Sequence, residues 1–435
     1  MTRARAGAAT VVLGVALAAT LLASADPPAQ PPPGPFPAEV YRERRERVMK
    51  ELGGGIAVLH ARGEEDRDGY RQDSDFHYLT GIDEAGAVLV LAPAERLHRH
   101  RLYLAPRDPE AERWTGEREP LGHALRERTG FDRVRRSGSL GGELAGLVQA
   151  GDTLHVVNRP SGPDSPLPPE QELYAKLQAR IPGLTVKNQM RLLPALRAVK
   201  EPRELERMRV AIDATLAAHR AAARTIRPGV EENWIESVIA TEFKKAGAVR
   251  PAFGSIVGAG DNSTILHYPD HDETIEPGAL VVVDIGADYG RYAADVTRTY
   301  PADGTFTARQ REVYDAVLRT QEACIRMVRP GVYMEDLHAE AERILRAAGF
   351  GDYFIHGLGH YVGLDVHDAG LRREPLAEGM VITVEPGVYI PEEALGVRIE
   401  DEVLVTAKGS ELLTAELPRS ADEIERMMAA ERPSE

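Results

Sequence analysis

The sequence predicts a mixed α/β (α+β) protein of two domains, on the strength of three observations. Short apolar runs, such as residues 56–59 and 86–91, alternate with longer segments whose apolar residues recur at helical spacing. Five prolines within residues 158–170 mark a break in regular structure before a second series of such elements. With 435 residues, 43% of them hydrophobic, the chain can bury the cores of about two to three ordinary domains.

The N-terminus has the pattern of a secretory signal peptide. Basic residues precede an apolar run over residues 8–23, and Ala23-Ser24-Ala25 supplies small side chains at the cleavage positions. An uncleaved membrane anchor is the alternative, but the run is short for a spanning helix of about 20 residues. We therefore expect residues 1–25 to be removed by cleavage near Ala25 and the mature protein to be exported, either to the periplasm or out of the cell.

The domain boundaries follow from proline content and helix signals. Residues 26–36 are rich in proline and suit an extended linker. The first folded domain is predicted over residues 37–190. The second is predicted over residues 195–430, and it opens with a helix in which Pro202 occupies a first-turn position. The second domain carries nearly all of the candidate chemistry.

Charge and cysteine content exclude several classes of protein. Lys and Arg total 53 against 68 for Asp and Glu, which gives a net charge of -15 without a basic tail. Nucleic acid is therefore not an expected partner. Cys324 is the only cysteine, so no intramolecular disulfide can form. It lies among apolar residues at helical spacing, which predicts a packed and inert thiol.

Two aspartates are predicted to meet on a β-hairpin. Asp284 lies within the apolar run of residues 280–286, and Asp295 follows a turn signal at residues 288–291. A tight turn centred between Tyr289 and Gly290 would place the two aspartates directly opposite each other, with Cβ atoms about 4.5–5.5 Å apart. Two like charges at that distance repel unless a cation lies between them.

Two glutamates repeat this arrangement near the C-terminus. Glu385 ends the apolar run of residues 381–384, and Glu400 ends a second run after a turn at residues 391–395. Their spacing about this turn again allows the carboxylates to oppose each other. A single acid in a strand often pairs with an arginine, here Arg298 or Arg398, but two such hairpins in one domain favour a metal site.

Histidine supplies a further type of ligand. Residues 356–367 contain His356, His360 and His367 among glycines that let the backbone approach closely. Each histidine alone is more often an ordinary buried polar residue than a ligand. Together with the four carboxylates they fit a dinuclear metal site, in which a bridging hydroxide would be the nucleophile and no serine or cysteine nucleophile is needed.

These residues resemble a known family. Five of them occur in the order and local context of the metal ligands of the pita-bread metallopeptidases, which include methionine aminopeptidase, prolidase and aminopeptidase P. They are Asp284 in VVVDIG, Asp295 in ADVTRTY, His360 in HGLGH, Glu385 in VEPG and Glu400 in RIEDE. The segment YRQDSDFHYLTG at residues 70–81 resembles the N-terminal domain of aminopeptidase P (Xaa-Pro aminopeptidase). The resemblance implies a creatinase-like mixed α/β domain followed by a pita-bread catalytic domain.

The resemblance also implies a role for each candidate residue. Asp284 would bind one metal ion, Asp295 and Glu400 would bridge both, and His360 with Glu385 would complete the other. Glu385 would in addition move the proton of the attacking water. The remaining residues would contact the substrate: His267 near the scissile bond, His367 at a substrate carbonyl, His356 in the proline pocket, and Arg398 either closing that pocket or orienting Glu400.

The implied activity is release of the first residue from peptides whose second residue is proline. A pocket shaped for the proline ring suits a bond that lacks an N–H group. The cofactor would be two divalent metal ions, most consistent with Mn²⁺, with Zn²⁺ or Co²⁺ as alternatives. Family members are usually homo-oligomers, so a dimer or tetramer is expected.

Three other functions stay open at this point. Prolidase cleaves only Xaa-Pro dipeptides. Creatinase uses the same fold without metal, although the complete ligand set argues against it. A non-enzymatic pita-bread module would bind a peptide or protein after losing its ligands, and none is lost here.

Overall fold

The computed structural model of the protein describes residues 33–63, 70–158 and 162–431. The expected signal peptide lies outside these residues, as does most of the proline-rich linker. Residues 33–37 have no regular secondary structure and lead into the first helix. No helix in the described part of the chain is both long enough and apolar enough to cross a membrane.

The described residues form helices and strands in the mixed pattern that the sequence predicts. The helices, α1 to α12 in chain order, are Ala38–Leu52, Ser74–Thr80, Glu112–Thr115, His123–Thr129, Leu140–Leu147, Pro169–Gln178, Leu192–Ala198, Pro202–Thr225, Glu232–Lys245, Ala308–Met327, Met334–Ala347 and Ala421–Glu431. The strands, β1 to β17, are Ile56–His60, Val88–Leu91, His100–Leu104, Arg133–Arg136, Thr153–Val156, Thr185–Asn188, Arg250–Pro251, Ile256–Ala259, Leu280–Ile285, Ala287–Tyr289, Tyr292–Ala293, Val296–Pro301, Val381–Val384, Gly387–Ile390, Leu395–Arg398, Asp401–Thr406 and Gly409–Leu412.

The N-terminal region is built on one mixed six-stranded sheet with the strand order β4-β3-β2-β1-β5-β6. The central pairs β1–β2 and β2–β3 are antiparallel, whereas β1–β5, β3–β4 and β5–β6 are parallel. Strands β1, β2 and β3 are buried along nearly their whole lengths. Burial on both faces explains why β1 and β2 are nearly continuous apolar runs and not alternating ones.

The first catalytic-domain hairpin corrects a prediction of the sequence. In β9 and β12, Asp284 faces Thr297 and not Asp295. The turn lies on Gly290 and Arg291, whose φ values of 58° and 76° are both left-handed, as a two-residue hairpin turn requires. The turn is thus one residue later than predicted. Each residue of β9 therefore faces a residue two positions further along the chain than predicted. Asp284 and Asp295 are consequently diagonal neighbours on one face of the hairpin.

Tertiary contacts explain the position of this turn. A non-glycine residue rarely adopts a positive φ. The Arg291 side chain donates to Asp83 Oδ1 at 3.1 Å and to the Gln72 carbonyl at 2.8 Å, both in the N-terminal region. Its backbone N–H donates to Asp288 Oδ1 at 2.9 Å. These partners lie far apart in the sequence, so the local turn signal did not reveal them.

The second hairpin has the register that the sequence predicts. Gly387 faces Arg398 in β14 and β15, and Val384 faces Asp401 in β13 and β16. The same register runs through the gap between these strand pairs, so Glu385 and Glu400 lie opposite each other in the gap. The first hairpin is interrupted in the same way, between the pairs Ile285–Val296 and Asp288–Ala293. Both hairpins therefore open locally where their carboxylates lie.

Helices cover the two hairpins and complete the core. The long helix α8 begins at Pro202 with a capping box formed by Glu201 and Glu204, and it packs against α9 and β10. Helix α10 buries Cys324, and burial raises the pKa of its thiol to about 12. The thiol is therefore protonated at neutral pH, in agreement with the predicted inert cysteine.

A buried ion cluster joins the N-terminal region to the catalytic domain. Arg197, on α7, donates hydrogen bonds to Asp75 on α2 at 2.7 Å, to Asp365 at 2.9 Å and to Asp368. Lys200 Nζ donates to the other oxygen of Asp368 at 2.9 Å. The loop between Asp365 and Asp368 forms part of the candidate site, so this cluster fixes one wall of it.

Candidate active site

The candidate site lies where the two hairpins meet. An isolated bridge between Thr297 and Glu400 connects them. Asp284 comes from the end of β9, Asp295 directly precedes β12, Glu385 follows β13, and Glu400 lies between β15 and β16. With His360 from the loop after α11, these carboxylates line a cavity of about 780 Å³. The structure thus brings together all five residues that the sequence proposed as metal ligands.

The distances among these side chains suit shared coordination. His360 Nε2 lies 3.3 Å from Asp295 Oδ2 and 3.3 Å from Glu385 Oε1. Asp295, His360 and Glu400 can each offer one ligand atom within 4.8 Å of the other two. Thr383 holds this side of the cluster together, because its hydroxyl accepts from the His360 N–H at 3.0 Å and donates to Glu385 at 3.3 Å.

Burial and mutual repulsion make the carboxylates unfavourable as free anions. Burial, reinforced by the neighbouring carboxylates, raises the pKa of Asp295 and of Glu400 well above the usual range. Burial also raises the pKa of Glu385 to about 7, against the opposing effects of His360 and Arg398. Asp284 Oδ1 is buried and has no hydrogen-bond partner among the described residues. Four carboxylates and one imidazole that lack sufficient counter-charge fit two divalent cations.

Hydrogen bonds from outside the cluster orient its members. Arg398 donates to Asp284 Oδ2 at 2.7 Å and to the Tyr389 hydroxyl at 2.8 Å. The Thr297 hydroxyl donates to Glu400 Oε2 at 2.7 Å. Arg398 thus binds Asp284 directly and reaches Glu400 through Thr297, whose hydroxyl accepts from Arg398 Nε at 3.3 Å. The predicted contact of Arg398 with Glu400 is therefore indirect. Arg398 lines the cavity, as the pocket role requires.

Sequence reasoning missed several of these supporting residues. Thr297, Thr383 and Tyr389 each bind a residue of the site through a hydroxyl group, and Glu402 accepts a hydrogen bond from the Asp295 backbone at 2.8 Å. A hydroxyl residue two positions from a candidate ligand on the same strand shares its face, and Thr297 and Thr383 both satisfy that rule. The alternation pattern could therefore have found these two, but not Tyr389.

The three remaining histidines also line the cavity. His356 Nε2 lies 3.0 Å from the Tyr389 hydroxyl, and burial together with Arg398 lowers its pKa to about 4. The rings of His360 and His367 are 4.2 Å apart, and burial followed by the charge of His360 lowers the pKa of His367. His356 is thus neutral at neutral pH and can both donate and accept a hydrogen bond. The structure places His267 with them, on the loop that follows β8.

Close backbone packing explains one glycine of the site. A Cβ atom on Gly359 would lie 2.8 Å from the Thr383 carbonyl carbon and still closer to the carbonyl oxygen. Gly357, two residues earlier, has no atom within 4 Å of the corresponding position. Only Gly359 therefore needs to be glycine in order for the loop to bring His360 against β13.

Comparisons with known proteins agree with this geometry. The family model described as metallopeptidase family M24 matches residues 206–407, and the one described as aminopeptidase P, N-terminal domain, matches residues 41–157. The Xaa-Pro aminopeptidase of Escherichia coli is 36% identical over 90% of this chain and 98% of its own length.

Solved structures extend the similarity to the fold. A putative aminopeptidase P from Bacillus anthracis has a TM-score of 0.85 with 28% identity, covering 91% of this chain and 99% of its own. A zinc-substituted E. coli aminopeptidase P in complex with product has a TM-score of 0.83 with 32% identity, covering 92% and 100%. The chain belongs to the M24 metallopeptidases, with an aminopeptidase P type of N-terminal domain.

Proposed function

We propose that the protein is a metal-dependent aminopeptidase that releases the first residue of peptides whose second residue is proline. The observation that carries this proposal is the cluster of four carboxylates and one imidazole in a cavity that four further histidines also line. The named relatives are Xaa-Pro aminopeptidases and aminopeptidases P, which also favours this activity over that of prolidase.

The residues that would hold the metal ions are Asp284, Asp295, His360, Glu385 and Glu400. Two divalent ions held there would lower the pKa of the attacking water and polarise the scissile carbonyl. We propose Mn²⁺ as the natural pair because oxygen ligands dominate the set, with Zn²⁺ and Co²⁺ able to replace it.

The chain's own residues would carry the remaining steps. Glu385 would hold the proton that the attacking water gives up and return it to the leaving proline nitrogen. His267 would hydrogen-bond the substrate near the scissile bond, and His367 would bind a substrate carbonyl. His356 and Arg398, both bonded to Tyr389, would form the wall against which the proline ring packs.

Proline in the second position gives the reaction its selectivity. A Xaa-Pro bond has no N–H group, so a peptidase that must hydrogen-bond that group cannot use it. The cavity instead offers the rigid ring a wall of aromatic and imidazole groups, because the His356 and Tyr389 rings lie 5.5 Å apart. The free amino terminus would be anchored at the metal site, which explains removal of a single residue.

The experiment that tests the proposal compares Arg-Pro-Pro with Xaa-Pro dipeptides, using mature protein that has been chelated and then resupplied with Mn²⁺. Manganese-dependent release of the first residue from the tripeptide is expected. Cleavage of dipeptides alone would assign the protein to prolidase, and cleavage of neither would leave a binding role. Arg-Ala-Pro serves as the matched control, because it lacks the penultimate proline and should resist cleavage.

Export and assembly are further parts of the proposal. We propose that the protein is exported after cleavage near Ala25, which N-terminal sequencing of the protein recovered outside the cytoplasm would test. We also propose a homo-oligomer, because the segment at residues 113–116, in which Arg113, Trp114 and Gly116 are exposed, resembles one that reaches a substrate pocket from a neighbouring subunit. Light scattering of the purified protein would distinguish a monomer from a dimer or tetramer.

A further inference from the structure

Apart from the carboxylate cluster, the segments that line the cavity fall into two groups, which we call its two walls. One wall is the segment at residues 356–372, which contributes three of the histidine rings and Arg372. The other consists of α9, the start of β8 and the loop at residues 266–271. The first wall carries the groups assigned above to the proline ring and the substrate carbonyl. The second wall is therefore the one available to the side chain of the residue that is released.

The second wall contains a buried histidine with an unused ring nitrogen. His271 is only 5% exposed, and its Nδ1 lies 3.5 Å from Glu236 Oε2 on α9. Its Nε2 is buried without a hydrogen-bond partner among the described residues. With the proton on Nδ1, which faces the carboxylate, Nε2 is left as an acceptor.

The backbone holds His271 in a conformation that non-glycine residues seldom adopt. Its φ is 50°, and its ring packs edge-on against Tyr268 with centroids 5.6 Å apart. The Tyr268 hydroxyl in turn donates to Asp272 at 3.2 Å. Strain of this kind persists where the surrounding structure fixes it, and it concentrates at sites that bind ligands.

The charges on this wall are all of one sign. Glu236 exposes 46% of its side chain, and Asp270, on the loop at residues 266–271, is exposed and also lines the cavity. Within the described part of the chain, neither carboxylate lies in an ion pair with a lysine or arginine. The two arginines that line the cavity do not belong to this wall. Arg398 is hydrogen-bonded to Asp284, and the charge of Arg372, on the first wall, contributes to lowering the pKa of His367.

We propose that this wall selects peptides whose first residue is basic, with Glu236 and Asp270 attracting the charge and His271 Nε2 accepting a hydrogen bond. Glu236, Asp270 and His271 Nε2 are all acceptors, so a side chain that carries several N–H donors and a positive charge satisfies these three groups best. Arginine and lysine are such side chains. This inference rests on the proposed function, because it requires a peptide in the cavity.

The test compares lysine with norleucine, which has the same unbranched chain without the ammonium group, in Lys-Pro-Pro and norleucine-Pro-Pro. Both carry the same α-amino group, so their ratio isolates the side-chain charge. With Mn²⁺-loaded mature protein we expect kcat/KM to be about tenfold higher for Lys-Pro-Pro. In Glu236→Gln this ratio should fall towards one. Glu242→Gln is the matched control, since Glu242 lies on the same helix, pairs with Lys245 and does not line the cavity.

Each outcome has a defined meaning. Equal kcat/KM for the two peptides in the wild type overturns the inference, as does an equal loss on both in Glu236→Gln. If neither peptide is cleaved, the proposed function fails, and calorimetric binding of the same two peptides to the metal-loaded protein then decides the inference alone. Tighter binding of Lys-Pro-Pro that Glu236→Gln abolishes would support it, and equal binding would refute it.

Discussion

Replacing Gly359 by alanine should weaken metal binding by displacing the loop that carries His360. The added Cβ atom would lie 2.8 Å from the Thr383 carbonyl carbon, whereas carbon atoms in contact lie about 3.5–4.0 Å apart. The loop or the strand must therefore move by about 0.7 Å or more. Metal-ligand distances tolerate deviations of only about 0.2 Å.

The displacement falls directly on the imidazole ligand. The carbonyl of His360 accepts from the Thr383 N–H at 2.8 Å, and the His360 N–H donates to the Thr383 hydroxyl at 3.0 Å. Separation of these two segments shifts His360 away from Asp295 and Glu385. We expect metal affinity to fall by roughly 10–100-fold, as when supporting residues of metal sites are lost. Turnover should fall by about 100-fold or more.

Titration calorimetry with Mn²⁺ measures the first effect, and thermal unfolding with and without Mn²⁺ provides an independent readout. Gly357→Ala is the matched control, because its added methyl meets open space on the same loop. Its metal affinity should match that of the wild type. If Gly359→Ala binds Mn²⁺ as tightly as the wild type does, the packing argument is refuted.

Three further predictions concern charge. Asp295→Asn should abolish metal-dependent turnover. It should also raise the unfolding temperature midpoint of the chelated protein, because the buried carboxylate, whose pKa burial raises, destabilises the folded state when no metal is bound. A lower midpoint would contradict this. Burial lowers the pKa of His219 to about 3, so below about pH 6.5 the unfolded state binds more protons than the folded state does. The free energy of unfolding should therefore decrease by up to about 1.4 kcal/mol per pH unit as the pH falls towards 3. His219→Gln should show a shallower dependence when urea denaturation is repeated across that range. Arg197→Met should lower the free energy of unfolding, measured by urea denaturation, by roughly 3–5 kcal/mol, because it leaves the charge of Asp368 partly uncompensated. The additional change Asp368→Asn should recover part of that loss.

The candidate ligands could be proposed from sequence because their signal is local. A carboxylate at the end of an apolar strand is unusual, and four of them together with His360, all in family contexts, leave little ambiguity. The second hairpin register also followed from a local turn, because residues 391–394 contain the whole connection between β14 and β15. Local chemistry was sufficient in these cases.

Other features depended on contacts that sequence alone does not display. Arg291 adopts a left-handed conformation because Asp83 and Gln72, about 200 residues earlier, bind its side chain. The partner of Arg398 likewise follows from how two hairpins dock, which brings Asp284 within 2.7 Å of it. Tertiary contacts set both the register of the first hairpin and the partner of Arg398. Local sequence signals, such as a turn motif or a nearby residue in the chain, therefore predicted neither correctly.

The local gap in each hairpin has a consequence for the order of folding. Each pair of carboxylates belongs to one hairpin, so the two members are brought near each other by a loop closure of fewer than about 20 residues, a step that takes microseconds. The two pairs meet only when the hairpins dock through Thr297 and Glu400, which are 103 residues apart. Contacts of long sequence separation form slowly. Uptake of two metal ions therefore reports that the whole domain has assembled, because a chain that stalls before docking offers only the two carboxylates of each separate hairpin and never all four together.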